Sequence, residues 1–325
     1  MNRLLALALL TLHLIAAAAQ DPSSNTYERA LDLVHSYSGS GPELQQAMQL
    51  AGELSKSAPK SGYAQALYAE AMSTWELDQK GRPTELRDRV IELSDEAIKL
   101  NPRLAQAYVS KARALLRSSM YDAANTSIES ALAIDPKLSG AIFLRADAYR
   151  RLGTIAEADI WYRRFIDSTS SNNRKANGYA WLAEMYRTAA RVDEDKRTEF
   201  TAKAKAAFEG SLSQEPNGAW RNVNYAIFLN EYASDFEAAE RYAQKALGMM
   251  EFPMARYHLA AARYQKLSVA SPAMSSAALG EATKAVAEST GITLADAIAF
   301  RAFSPVIVDR LSKLKFRAAA PSTPR

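Results

Sequence analysis

The sequence predicts an all-α fold, a solenoid of about six to seven helix pairs closed by a C-terminal capping helix. Three observations carry this. The chain of 325 residues is 48% hydrophobic and 23% charged, with only 13 Gly and 12 Pro, and its abundant Ala, Leu, Glu, Lys and Arg favour helix over sheet. A segment recurs at a spacing of thirty-four residues: Ala97-Ile98-Lys99-Leu100-Asn101-Pro102 returns as Ala131-Leu132-Ala133-Ile134-Asp135-Pro136. Between the two copies lie two amphipathic runs, Ala107, Tyr108, Ala112 and Leu115, then Ala124, Ile128 and Ala131, at the three-to-four-residue steps of a helix face.

The first twenty residues stand apart. Arg3 opens a positive start, Leu4 to Ile15 is apolar except for Thr11 and His13, and Ala16 to Ala19 supply small residues. This pattern is expected to be a secretory signal, cleaved near Ala19 or Gln20. The alternative is an uncleaved anchor, for which Leu4–Ala19 falls short of the ~20 residues that span a bilayer. No later stretch is apolar and long enough to cross a membrane. The chain has no cysteine, hence no disulfide, thiol nucleophile or cysteine metal site. An exported chain without cystines points to a bacterial periplasm, with secretion as the alternative. The net charge is +4, and 39 basic against 36 acidic residues remain once Arg3 leaves with the signal. That balance is too small to predict nucleic-acid binding.

The repeat can be justified sterically. Helices approach to ~8 Å only where small side chains meet. Ala112 against Ala124, and Ala146 against Ala158, are placed at those crossings, with Tyr149 and Tyr162 filling the space beside them. Gly153 ends one helix cheaply, and Pro136 forces a turn. A thirty-four-residue helix-turn-helix unit with these features resembles the tetratricopeptide repeat. The resemblance covers residues 24–290 and implies a right-handed α-solenoid. The family's first-helix Trp and its Leu-Gly pair are absent, and Phe165 stands where the family has Ala.

Looser units flank the central pair. Upstream, Gln65 to Trp75 is a first helix with Ala71 at its crossing, and Thr84 to Leu100 its partner. Pro59 to Pro102 spans 43 residues, nine more than the repeat, through the loop from Asp78 to Pro83. Downstream, Tyr179, Leu182, Ala183 and Tyr186 mark a first helix and Phe200 to Gln214 its partner. Their connection from Arg187 to Thr198 is long and charged. Both excesses are read as helix extensions of about two turns. A fifth unit carries Ala226, Leu229, Phe236, Ala239, Tyr242 and Ala246, and a sixth carries Tyr257, Ala261 and Tyr264, then Ala277 to Ala287. Tyr27 to His35 and Pro42 to Lys56 form a degenerate first unit. Residues 291–317 are capping helices: Thr293 to Phe303, then Val306 to Phe316 behind Ser304-Pro305, with Ile307, Leu311 and Leu314 on one face. The last is basic and amphipathic, so it either covers the final repeat or touches a membrane. Residues 318–325 are expected to be a disordered tail.

Chemistry is sparse. Beyond the signal only His35 and His258 remain, far apart and without paired-ligand spacing. Both are read as surface or groove imidazoles. No nucleophile elbow, Walker loop or dinucleotide fingerprint occurs. No catalytic residue, metal or cofactor is expected, and an enzyme is the least favoured class.

The resemblance implies a concave face lined by the first helix of each unit. Carrying those positions over gives Tyr68, Met72 and Trp75, then Val109, Arg113 and Arg117, then Phe143, Asp147, Arg150 and Arg151. Glu184 and Arg187 follow, and then Ile227, Asn230, His258 and Gln265. Arg113, Arg117, Arg150, Arg151 and Arg187 would line one stretch near Phe143. Arginine forks bind carboxylates in bidentate fashion. The expected partner is thus another protein or peptide with acidic groups or a free C-terminus, and the expected role a periplasmic scaffold or adaptor. The alternative is an accessory subunit of an envelope polysaccharide or secretion system, binding glycan or anionic polymer. The sequence sets no oligomeric state.

Overall fold

The structure is a computed structural model, and it describes residues 22–36, 43–75 and 84–318. The signal, the loop from Asp78 to Pro83, the side chain of His35 and the tail beyond Ala318 lie outside the described residues. The described residues form helices and connections only, with no strand. No helix among them is long and apolar enough to cross a membrane.

Seven helix pairs follow one another among the described residues. They are α1 Pro22–Ser36 with α2 Glu43–Ser57, α3 Gly62–Trp75 with α4 Thr84–Leu100, and α5 Ala105–Arg117 with α6 Tyr121–Ile134. Next come α7 Ser139–Arg151 with α8 Ile155–Asp167, α9 Asn172–Val192 with α10 Arg197–Gln214, and α11 Ala219–Phe228 with α12 Phe236–Met249. The last pair is α13 Pro253–Ala270 with α14 Ser276–Thr290, before α15 Leu294–Ala299 and α16 Pro305–Ala318. This is the expected all-α solenoid of helix pairs. The chain divides into two compact units, Met1–Arg164 and Phe165–Arg325.

The alanine logic holds within each unit. Ala112, Ala124, Ala146 and Ala158 are fully buried, as are Ala71, Ala183, Ala226, Ala239 and Ala261. Large side chains fill the flanks. The Phe143 and Tyr162 rings lie 5.9 Å apart edge to face, and Phe208 stacks on Tyr225 at 5.5 Å. Glycine takes the crossing role where even a methyl is too large. A Cβ on Gly178 would stand 2.6 Å from Ile166 and 3.0 Å from Phe165.

The turn before each repeated proline is held by its Asn or Asp. Asn101 Oδ1 accepts from the Arg103 amide at 3.1 Å, and Asp135 Oδ1 from the Lys137 amide at 2.9 Å. These side-chain turns explain why the segment ends in Asn-Pro or Asp-Pro. The α7–α8 corner turns on Gly153 at φ +80°, as its residue type predicts. The α5–α6 corner does the same with a serine: Ser119 sits at φ 60°, while the Met120 amide donates to Leu115 O at 2.9 Å.

The extension in the fifth pair is real helix. α9 has 21 residues and α10 has 18, leaving four residues between them. Pairs six and seven are joined to a different kind of end. α11 passes into a π-helical turn, Leu229–Ala233, which stops at Ser234 in the left-handed region. α16 docks through Ile307, Leu311 and Leu314, all fully buried, in a cluster with Ala261, Tyr264 and Leu279. The cap expected from the sequence is therefore a packed element. Thr293 and Asp296 close a capping box at the start of α15, satisfying two otherwise orphaned backbone donors.

Two substitutions test this packing. Ser119→Gly removes the strain of a left-handed serine and should raise unfolding free energy by about 1 kcal/mol, read by urea denaturation. Gly178→Ala should lower it by roughly 1–3 kcal/mol, because the added methyl overpacks the crossing.

Candidate functional site

The expected arginine stretch divides between the two units, and in the first unit its charge is turned inward. Arg150 donates through Nε and Nη2 to Asp147 Oδ1 at 2.9 and 2.5 Å. Arg151 Nε donates to Asp147 Oδ2 at 2.8 Å. One nearly buried carboxylate thus occupies both forks. Burial, more than the nearby Asp147 charge, pushes the Tyr162 hydroxyl upward. Arg117 Nη1 donates to Ser73 O at 2.9 Å, and Arg113 Nη1 reaches Ser73 Oγ at 3.4 Å. Desolvation lowers Arg113 from its ordinary value, against the raising effect of Glu70. Glu70 itself accepts from Gln106 Nε2 at 2.7 Å. Met72 and Val109 are buried core, and Tyr68, Trp75 and Phe143 are only partly exposed. The polar contacts join α3 to α5, and Val109 and Phe143 share an apolar cluster between α5 and α7.

The second unit is organised differently. A cleft of about 380 Å³ opens on the first-helix side, lined by Glu184, Arg187, Thr188 and Arg191 of α9. Spacings of three, four and seven residues put those four on one helix face. The opposite walls are Ile227 of α11, Glu231 and Tyr232 of the π turn, Met254 and His258 of α13, and the segment Ala302–Pro305 that leads into α16. The volume matches a site for a small ligand or one to two side chains.

Its electrostatics are mixed. Arg187 Nη2 donates to Glu184 Oε1 at 2.7 Å. Burial alone would lower Arg187, but the bond and charge of Glu184 outweigh it and hold the group above its ordinary value. Burial raises Glu231, while Arg187 counters that rise. Arg191 is exposed at the cleft mouth and makes no hydrogen bond or ion pair with a described residue.

His258, read from sequence as a surface or groove imidazole, is a buried wall residue instead. Only 1% of it is exposed, the Phe303 ring lies 5.0 Å away edge-on, and its Nδ1 has no hydrogen-bond partner. Burial, with a smaller effect from Arg187, depresses it to about 3. Asn230 and Gln265, also placed in the groove from sequence, are fully buried too, because the π turn and α16 cover them. Sequence reading missed Arg191, Glu231, Tyr232 and Ser304. Arg191 had a visible signal, since it continues the Glu184–Arg187–Thr188 stripe by one turn. The other three depend on the π turn and on the return of the C-terminal segment. No group of three or more His, Cys, Asp or Glu positioned for a metal occurs among the described residues.

Neither a family model nor a curated protein matches the sequence. Solved structures do. Human IFIT1, solved as a dimer with m7Gppp-AAAA, aligns at TM-score 0.57 and 14% identity over 92% of this chain and 69% of its own. Cut9 in the APC/C Cut9–Hcn1 hetero-tetramer aligns at 0.54 and 16% identity, over 77% of this chain. The chain spans about half of that protein, 48%. TTC0263, a thermophilic TPR protein of Thermus thermophilus, aligns at 0.50 and 17% identity over 64% of this chain and 98% of its own. At such identities the likeness is one of fold. The chain has the helix-pair fold of tetratricopeptide-repeat proteins.

The depressed His258 has a signed consequence. Its imidazole stays neutral in the folded protein while the unfolded chain takes up a proton near pH 6.5. Stability contributed by the neutral group is therefore present above pH 6.5 and is lost as pH falls toward 3. The His258 ring resonance should not titrate between pH 8 and 5. His258→Gln should flatten the loss of stability on acidification over the same range.

Proposed function

We propose that this chain is a protein-interaction scaffold of the bacterial cell envelope, and that its cleft in the second unit receives an acid-bearing segment of a partner protein. The observation that carries the reading is the α9 stripe. Four side chains at helical spacing face a cavity, and the outermost, Arg191, makes no hydrogen bond or ion pair with a described residue, while its charge acts on Glu231 across the cleft. An arginine at the mouth of a partly apolar cleft suits a carboxylate followed by an aliphatic or aromatic side chain. Ile227, Met254 and Phe303 supply the apolar surface.

The first-unit arginines do not support the same role directly. A partner carboxylate there would have to displace Asp147 from two ion pairs, or Arg117 from a backbone carbonyl. The envelope location rests on the signal-like residues 1–20 and on the lack of cysteine. The nucleotide-bearing ligand of human IFIT1 is not carried over, since only the fold is shared and the cleft's charges balance.

The test is site-specific photocrosslinking in the full chain. A benzophenone amino acid in place of Thr188, exposed within the cleft, should capture a discrete partner in the native envelope. Arg191→Glu should remove the adduct, with a loss of about tenfold or more for reversing a charge beside a carboxylate. A photoprobe at half-buried Lys205 of α10 serves as the control position. Adducts that survive Arg191→Glu, or that form equally from position 205, would move the interface away from the cleft.

A further inference from the structure

The last helix does more than cover the array. Arg310 of α16 reaches back into the π turn. Its Nη1 donates to Asn230 O at 3.2 Å and to Gln265 Oε1 at 2.8 Å. Its Nη2 donates to Ser234 Oγ at 3.1 Å, and the guanidinium lies 5.5 Å from the Phe236 ring. The network continues inward. Gln265 Nε2 donates to Asn230 Oδ1 at 3.1 Å, and Asn230 Nδ2 donates to His258 O at 3.0 Å. Asn230 and Gln265 are fully buried, so the bonds to their side chains satisfy groups that water does not reach.

This network lies against the cleft. Asn230 belongs to the same π turn as Glu231 and Tyr232, which line it, and His258 forms another wall. π turns are rare and stand at places where a helix must re-aim its side chains. Here the turn ends the helix at Ser234, where intrahelical donors run out, and Arg310 supplies a donor to a carbonyl at that end. The apolar docking of α16 is separate, made by Ile307, Leu311 and Leu314. A solvated helix face would not send one planar fork to three acceptors, two of them on the π turn and its terminal residue.

We infer that Arg310 is a positioning residue of the cleft: it fixes the π turn that presents Glu231 and Tyr232, so the site is complete only with the terminal helix docked. This rests on the cleft being the partner site. The same helix contributes Phe303 to Pro305 through its leading segment, and so it supplies one wall and holds another.

The test reads the wall without any partner. 3-Fluorotyrosine at Tyr232 in the full chain gives a single ¹⁹F resonance. Arg310→Met, which keeps the stem against Phe236, should shift or split that resonance. Ser234→Gly removes one acceptor while keeping the left-handed turn accessible, and should shift it less in the same direction. Leu314→Ala should lower the melting temperature through lost packing yet leave the resonance in place. Arg310→Lys should not restore it, because one ammonium cannot span three acceptors. In the Thr188 photoprobe background, Arg310→Met should cut the adduct roughly tenfold. A Tyr232 resonance unmoved by Arg310→Met overturns the inference, as does a moved resonance with undiminished adduct. Adducts insensitive to Arg191→Glu would instead sink the partner reading of the cleft, which the partner-free resonance does not measure.

Discussion

Helices in this chain can stack as pairs because they meet at side chains of one carbon or none. Ala112 and Ala124, Ala146 and Ala158, and Ala226 and Ala239 are all fully buried. Their size sets how near two backbones come. Tyrosines and phenylalanines then occupy the wedge left beside each contact, so the crossing is tight at its centre and filled at its edges. A chain with no cysteine has only this packing, its caps and its turns to hold it. The orderly placement of first helices also follows. When each pair repeats the last, residues three, four and seven apart on one helix come to face residues of the next first helix. The cleft in the second unit is built from that regularity.

Inner-face charge is handled in two ways. In the first unit it is closed on itself: Asp147 takes both Arg150 and Arg151, and Ser73 takes Arg117. A buried carboxylate needs such partners, since an unpaired one would be costly. Arg117 is therefore part of how α5 fits against α3, while Arg150 and Arg151 close on Asp147 within α7 itself. Along α9 of the second unit the Glu184–Arg187 pair is closed, and the stripe runs on to Arg191, exposed at the cleft mouth. All three arginines stand at helix ends: Arg117 and Arg151 are the last residues of α5 and α7, and Arg191 is the last but one of α9. What differs is the acceptor within reach, Ser73 O and Asp147 in the first unit.

The sequence made the repeat legible because its signals are local. The Asn-Pro and Asp-Pro turns, the alanine crossings, the glycine at position 153 and the apolar face of the last helix each declare themselves within a few residues. The helix Thr84–Leu100 could be placed at both ends for the same reason. Two left-handed serines could not, since serine announces no such conformation. The site was harder. Arg187 was found by its register, but burial of Asn230, His258 and Gln265 depends on where residues 302–310 return, some forty to eighty positions later. Asp147 and its arginines looked like a groove because register alone does not say whether a charge meets solvent or a neighbour.

The π turn and the terminal helix place the cleft at the last pairs of the array. In a repeat fold each pair is braced by its neighbours, and here α16 stands against α13 in that role. The wall from Ala302 to Pro305 belongs to the chain that leads into this brace, so a change that loosens the terminal helix would also open the cleft.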